Sequence, residues 1–426
     1  DYFLSKKVIQ NIFDFDITEK DEIIYLLTQV GFHWGLDANE RLGEEKNTLE
    51  WCINRITLGL IYDKEINLSN FKLGVPDNSK DFFENIKNAI FLAEKKIDFT
   101  FKNLILILDS PEIFCVNVSG SKKINKSQIN EDDITFILND LKKTVQESYK
   151  RSSIIHLFNT NFILDNKKFD NPPVGLIGDR YFHEISLFLL PSNDLKNISS
   201  SFKKLNLTVD RILFKNFLEG MEKMHNSSKK DFFKINLNKE SCDLSFFDNS
   251  SFVFYENFKF GSNKFKQDVS KVCSLSNESV DQIFKTISFN GVIKKKSDML
   301  LDKSMFKDNS FRKISLNHIF EIIDARNTEI FNLIFNKNTN ILNLKKHTDN
   351  IFIEVEDESI FNNQAEMIKK NFDHTFNVSL KHKTHNDQYL NCSFAAELIS
   401  KGWDREVIAY TQDKKSLISR IFSKIF

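Results

Sequence analysis

Strand-like and helix-like patterns alternate along this chain, and that alternation restricts it to the mixed α/β class. Near the N-terminus "NIFDFDI" and "DEIIYLLTQV" read as a strand pair with a charged turn, and "RITLGLIY" as a further strand. "NSKDFFENIKNAIFLAEKK" has helical spacing, with Ser79 as cap and Phe82, Phe83, Ile86, Ala89, Ile90 and Ala93 as its buried stripe. "NLILILDSPEIFCVNVSG" gives two strands around Pro111. Helix "NEDDITFILNDLKKTVQES", capped by Asn130, leads into strands "SIIHLF" and "HEISLFLL", helix "NDLKNISSSFKKL" and strand "LTVDRILF". From Asp231 a second α/β run begins with three strands, "DFFKINLNKESCDLSFFDNSSFVFYENFKF". Helices "SNESVDQIFKTISF" and "LNHIFEIIDARNTEIFNLIF" follow around a lysine-rich loop. "NIFIEVEDESIFNN" runs from strand into helix, "NCSFAAELISKGW" is a late helix, and "DREVIAYTQDKK" reads as a polar linker. Two runs of similar size suggest a duplicated architecture, which periodicity alone does not prove.

Glycine scarcity limits what such a fold can bind. There are 12 glycines in 426 residues, and no Gly-Gly or Gly-x-Gly occurs. Average proteins hold roughly 7% glycine, so most positions for a backbone phosphate cradle are gone. Lys+Arg and Asp+Glu both number 59, which removes any global basic field for nucleic acid. No apolar run reaches the roughly 18 residues of a membrane-spanning helix. The N-terminus has no signal-peptide pattern. The five cysteines are scattered without a Cys-x-x-Cys, which fits a reducing compartment and argues against a disulfide or zinc framework.

Four local features remain. "NPPVGLIGDR" concentrates two prolines and two glycines, and reads as a tight structural turn or, second, a ligand loop. His382 and His385 in "KHKTHND" have metal-ligand spacing on a helix, but with lysines around them and no third ligand they read as a solvated loop. "GVIKKKSD" could meet phosphate or anionic lipid, though a solvated loop is the plainer reading. The last thirteen residues, "KKSLISRIFSKIF", are the strongest signal. On a helix Leu417, Ile418, Ile421, Phe422, Ile425 and Phe426 share one side. Lys414, Lys415, Arg420 and Lys424 take the other, with no acid among them. That is the pattern of an interfacial membrane helix. At about 20 Å it binds weakly alone, so stable attachment needs many copies.

The stretch from Ser153 to Phe214 resembles FtsA, the bacterial actin-like family that tethers the tubulin-like FtsZ ring to the membrane. The resemblance rests on a strand, a variable loop, the turn Pro173, Val174, Gly175, Leu176 and Gly178, then strand, helix and strand. This matches the family's 1C subdomain, which ordinary actins lack. "HIFEIIDARNTEIFNLI", with Arg326 and Glu329, is similar to a second family helix. "SFAAELISKG" is similar to a third, and the basic tail to the membrane-targeting helix. The resemblance covers essentially the whole chain, most strongly Leu73 to Phe214 and the tail. It implies an actin-like, ribonuclease-H-like two-lobed α/β fold with an SHS2-like 1C subdomain and a C-terminal amphipathic helix. The implied divisions are 1A at 1–98 with 215–230, 1C at 99–214, 2A at 231–271 and 341–411, 2B at 272–340, and linker plus tail at 412–426.

Family members hold ATP with Mg²⁺ between their halves on three Gly- or Thr-bearing loops. Here those loops depart from the pattern. The first falls on "DITEKD", where Asp16 remains, Thr18 replaces glycine and Glu19 adds charge. The second falls on "NLNKESCD": Asn236 leads it, Asn238, Lys239 and Glu240 replace three glycines, and Asp243 is kept. The third falls on "IEVEDE", with no glycine and four carboxylates, Glu354, Glu356, Asp357 and Glu358. Carboxylates repel a triphosphate, and Cβ atoms block close backbone approach. Magnesium offsets charge but not a missing nest of N–H groups. The residues therefore point to no cofactor and no enzyme activity.

The resemblance further implies peripheral attachment at the cytoplasmic face of the cell membrane, at the division septum. It implies self-association into filaments, later division proteins meeting 1C, and the FtsZ C-terminal tail docking on 2B. A short peptide needs only a groove with a few cations. Arg326 and Glu329 are candidates for that groove or, as in nucleotide-binding members, for the adenosine pocket. Lys415, Leu417, Ile418, Arg420, Ile421, Phe422, Lys424, Ile425 and Phe426 are the membrane-facing candidates. No nucleic-acid partner is expected. The alternative is an actin-like ATPase of the pilus-assembly type that still binds ATP.

Overall fold

The computed structural model describes residues 100–287, 299–306 and 312–407 apart from 373 and 385, with a few helical residues between 87 and 95. The expected N-terminal strands lie outside the described residues, as does the first phosphate loop with Asp16, Thr18 and Glu19. So do most of the lysine-rich loop, His385, and the tail with Lys415, Leu417, Ile418, Arg420, Ile421, Phe422, Lys424, Ile425 and Phe426. The chain divides into two units, 1–226 with 388–426, and 227–387.

In the first unit, strands β1 (Asn103–Leu108) and β6 (Thr208–Phe214) form a parallel pair. A separate antiparallel sheet runs β2 (Phe114–Gln128), β5 (Ile177–Pro191), β3 (Ser152–Leu164), β4 (Lys167–Phe169). Within the 99–214 range read as 1C, β1 and β6 pair with each other and not with this sheet. Helix α1 (Glu131–Ser148) covers one face. A capping box starts α1: Asn130 Oδ1 accepts from the Asp133 amide and Asp133 accepts from the Asn130 amide, both at 2.9 Å. Its Ile137, Leu141 and Val145 recur at helical spacing and pack in one cluster with Leu157, Tyr181, Ile185 and Leu187.

The "NPPVGLIGDR" loop is a structural turn. Gly175 adopts φ +83°, a backbone state side chains rarely take, and its amide donates to Ile129 O at 2.8 Å. Ile129 in turn donates to Leu176 O at 2.9 Å, which fixes the loop beside the start of α1. Helices α2 (Ser192–Lys203) and α3 (Lys215–Ser227) follow β5 and β6.

The segment read as a polar linker is in part a buried strap. Arg405 O accepts from the Asn159 amide at 2.7 Å, and the Val407 amide donates to Leu157 O at 2.8 Å. Arg405–Val407 thus pairs along the edge of β3, with Phe158 opposite Glu406 in an antiparallel bridge. The Glu406 side chain, 4% exposed, meets His156 Nδ1 at 2.6 Å and Arg211 Nη2 at 2.7 Å. Burial works against its charge, yet the His156 ring and the Arg211 guanidinium hold its carboxyl down at about 2. His156 Nε2 accepts from the Phe214 amide at 2.9 Å, so Nδ1 carries the hydrogen facing Glu406. A carboxylate in a polar run looks solvated in sequence; here two partners on distant strands draw it inside.

The second unit is built on a five-stranded sheet ordered β9 (Ser251–Phe258), β8 (Cys242–Asp248), β7 (Phe232–Leu237), β10 (Asn350–Val355), β11 (Asn377–His382). The β7–β8–β9 meander is antiparallel, and β7, β10 and β11 are parallel. This mixed order is the ribonuclease-H-like sheet of an actin-like fold. Helices α4 (Asn263–Cys273), α5 (Asn277–Thr286), α6 (Leu316–Phe331) and α7 (Glu358–Lys369) bury one face of it. The core there joins Phe233, Ile235, Leu237, Leu244 and Ile353 to Val269, Ile283, Ile319 and Ile360. A last helix, α8 (Asn386–Lys401), precedes the strap.

Candidate functional site: a closed hairpin at the strand ends

Strand alternation places polar residues on the sheet face opposite that core. Asn236 on β7 stands in register with Asp243 on β8 and with Glu354 on β10. Three of the residues expected from the loop motifs therefore form one row across three strands. All three are buried. Lys234, two residues before Asn236 and on the same face, donates to Asn236 Oδ1 and lies 3.3 Å from Glu354 Oε2. A buried ammonium and carboxylate tolerate burial only as partners. The sequence reading missed Lys234, although its i−2 spacing from Asn236 was the available signal.

The row ends at the turn between β7 and β8. The Asn238 amide donates to Ser241 O at 3.0 Å. Asn238 Nδ2 donates to Ser241 Oγ at 3.2 Å and to Asp243 Oδ2 at 3.1 Å. Asp243 Oδ1 also accepts from Tyr255 Oη and Asn257 Nδ2, each at 2.8 Å. Asp243 thus braces the hairpin from below. None of residues 238–241 has positive φ. The αR–αL form of anion nest is therefore absent from this turn.

Neighbouring segments close the turn. The Ser262 amide donates to Asn238 O at 2.8 Å, and the Asn263 amide to Lys239 O at 3.0 Å. Asn263 Nδ2 donates to Glu240 Oε1 at 2.5 Å. The Lys239 amide donates to Glu356 Oε2 at 2.8 Å, and the Glu356 amide to Leu237 O at 3.0 Å. Beyond it Asp357 caps α7, accepting from the Ser359 amide at 2.9 Å and the Ile360 amide at 3.2 Å. Lys266 joins Asp357 at 3.0 Å and Asp281 at 3.1 Å. Burial would raise the Asp357 carboxyl, but the Ser359 and Lys266 contacts hold it below its ordinary value.

Arg326 and Glu329 sit elsewhere, on α6. Arg326 Nε binds Asp268 of α4, and its Nη1 binds Glu329 Oε2 at 2.6 Å. Both ions are thereby paired within the unit, and the guanidinium ties α6 to α4. His382 Nε2 approaches Glu356 O at 3.3 Å. Among the described residues no cluster of His, Cys, Asp and Glu could hold a metal ion. Among them, too, no helix is long and apolar enough to cross a membrane.

Residues 111–185 match the family model described as the SHS2 domain inserted in FtsA. They span β2, α1, β3, β4 and the first part of β5. Residues 2–80 match a model described as the fourth domain of the RecBCD enzyme subunit RecC, and all of them lie outside the described residues. The cell division protein FtsA of Buchnera aphidicola subsp. Schizaphis graminum is 23% identical over 250 residues, 58% of each chain. FtsA of Buchnera aphidicola subsp. Acyrthosiphon pisum is 21% identical over 248 residues, again 58% of each. The chain thus spans 58% of the length of these relatives. Among solved structures, a PilM–PilN type IV pilus biogenesis complex gives a TM-score of 0.45 at 8% identity, covering 80% of this chain and 88% of that one. MreB 5 of Spiroplasma citri bound to AMPPNP gives 0.33 at 14% identity, covering 55% and 67%. Likeness at that level says nothing of function. The SHS2 domain match at residues 111–185 and the FtsA relatives at 21–23% identity support a divergent FtsA-like protein.

Proposed function

We propose that this protein acts in cell division as an adaptor, holding FtsZ polymers to a membrane through its basic amphipathic end and working without ATP. The observation that carries the reading is the joining, in one chain, of an SHS2 domain of the FtsA type to the sequence "KKSLISRIFSKIF", whose four cations and whose Leu, Ile and Phe residues would fall on opposite sides of a helix. Each Lys or Arg at an anionic surface contributes about 1 kcal/mol, and each buried Phe or Ile about 1.5–3 kcal/mol. One tail binds reversibly; a filament of tails binds firmly.

The nucleotide-free part of the proposal is supported by the closed hairpin. The turn lacks left-handed residues, and its Lys239 amide faces the Glu356 carboxylate. ATP and Mg²⁺ are therefore not assigned as cofactors, and no catalytic residue is assigned. The FtsZ C-terminal tail is proposed to dock on the 272–340 region. There Arg326 and Glu329 act through the packing of α6 on α4, since each already has an ion partner. Self-association and later division proteins are proposed to use the SHS2 domain, whose turn exposes Val174, Leu176 and Ile177.

The tail is tested by co-sedimentation of the full chain with anionic liposomes. Phe422→Glu removes about 1.5–3 kcal/mol of apolar burial and adds a repelled charge, so binding should fall roughly 10- to 100-fold. Unchanged binding would contradict the tail's assignment.

A further inference from the structure

The parallel strands β7 and β10 end side by side, and loops beyond the carboxyl ends of parallel strands are where α/β sheets receive ligands. Two sets of backbone N–H donors lie there: the β7–β8 turn and the first turn of α7. Such donors attract anions. In this protein each set already has one, supplied by adjacent residues of a single loop. Glu356 accepts from the Lys239 amide at 2.8 Å, with Lys239 Nζ 4.0 Å from its other oxygen. Asp357 accepts from the Ser359 and Ile360 amides.

We infer that Glu356 is a built-in anion, occupying the position at the β7–β8 turn that a phosphate-type ligand would otherwise take and ordering the turn in its place. This deepens the nucleotide-free reading above and rests on it.

Three features of the contact favour this over an incidental surface pair. The acceptor meets a backbone amide, which cannot swing away as a lysine side chain can. The Glu356 backbone is itself fixed, its amide on Leu237 O, so the carboxylate is delivered to the turn from the neighbouring strand. The turn's carbonyls are held separately, Asn238 O by the Ser262 amide and Lys239 O by the Asn263 amide, so the Lys239 amide sits on a fixed backbone when it meets Glu356. A charged acceptor on a backbone amide forms a stronger bond than a neutral one. An incoming phosphate must displace that bond and overcome the repulsion of the Glu356 carboxylate itself.

The test is chemical rescue in the full-chain protein. Hydrogen exchange at the Lys239 amide is followed in the wild type, in Glu356→Ala and in Glu356→Gln, with and without millimolar inorganic pyrophosphate. Removing the acceptor should speed exchange at Lys239 about 10-fold. Pyrophosphate should restore protection in Glu356→Ala and leave the wild type unchanged, and Glu356→Gln, which keeps a neutral acceptor, should fall between. Unaltered exchange in Glu356→Ala overturns the inference, and so does faster exchange that pyrophosphate fails to slow. Protection of the wild-type amide by pyrophosphate overturns it too, since the position would then be open. Calorimetry of the wild type with Mg-ATP separates the two ideas. Heat of binding contradicts the nucleotide-free reading, whereas the Lys239 amide alone decides the role of Glu356.

Discussion

Glu406→Ala should lower the stability of the first unit by about 3–5 kcal/mol, the usual cost of removing one partner from a buried ion pair. The carboxylate is 4% exposed and is shared by His156 Nδ1 and Arg211. Its loss leaves the guanidinium without its bidentate acceptor and the imidazole N–H facing a void. The strap Arg405–Val407 then rests on its backbone bonds to β3, the Arg405 Nη1 bond to Asp170 O and the packing of Val407 on the sheet's core. The pH dependence has a fixed sign. The Glu406 carboxyl is held at about 2 in the folded protein against an ordinary 4.5. Its contribution is therefore complete above pH 4.5 and disappears as pH falls from there toward 2. The depression corresponds to about 3 kcal/mol. Denaturant midpoints measured across this acid range should slope in the wild type and flatten in Glu406→Ala. Equal slopes, or a loss under about 1 kcal/mol, would mean that the strap is not anchored by this residue.

The second large effect is at Gly261. A Cβ there would lie 2.3 Å from Asn238 O and 2.6 Å from Lys239 O, both backbone atoms that cannot rotate aside. Gly261→Ala must push the β7–β8 turn away from the segment that closes it. That strains the bonds from the Ser262 and Asn263 amides, at 2.8 and 3.0 Å. Overpacking of this kind costs roughly 1–3 kcal/mol, and each weakened hydrogen bond adds about 1 kcal/mol. The expected loss is about 2–4 kcal/mol, read as a lower unfolding midpoint and faster amide exchange at Ser262. In a chain with 12 glycines, one lies against the back of the turn where Asn238, Lys239 and Glu240 stand in place of three expected glycines.

How far the sequence revealed this depends on the range of each signal. The β7–β8–β9 meander was legible because Phe-rich runs are cut by short polar turns, with Asn249 and Ser250 both at positive φ in the second turn. Helix α1 was legible from its cap and its stripe. Helix α3 was not, because Asn216 to Met224 are all buried, Glu219, Glu222 and Lys223 among them, so no polar face contrasts with an apolar one. Helix α4 was not read either, and β11 is a short edge strand of alternating exposure. At the site, Asn236, Asp243 and Glu354 could be placed from the loop motifs because the strands that carry them are local patterns. The contacts that close the site were out of reach: Glu356 lies 117 residues from Lys239, and Lys266 lies 91 from Asp357. Glu406 is the extreme case, 250 residues from His156 and 195 from Arg211, and nothing in "DREV" signals either partner.

The function proposed for this divergent FtsA-like chain is to tie FtsZ polymers to membrane without nucleotide. Its most direct test is recruitment of purified FtsZ polymers to anionic vesicles by the full-length protein, with Mg-ATP present or absent. The account predicts recruitment that is equal in both conditions and lost with Phe422→Glu. Recruitment that requires Mg-ATP, or none in either condition, would contradict it.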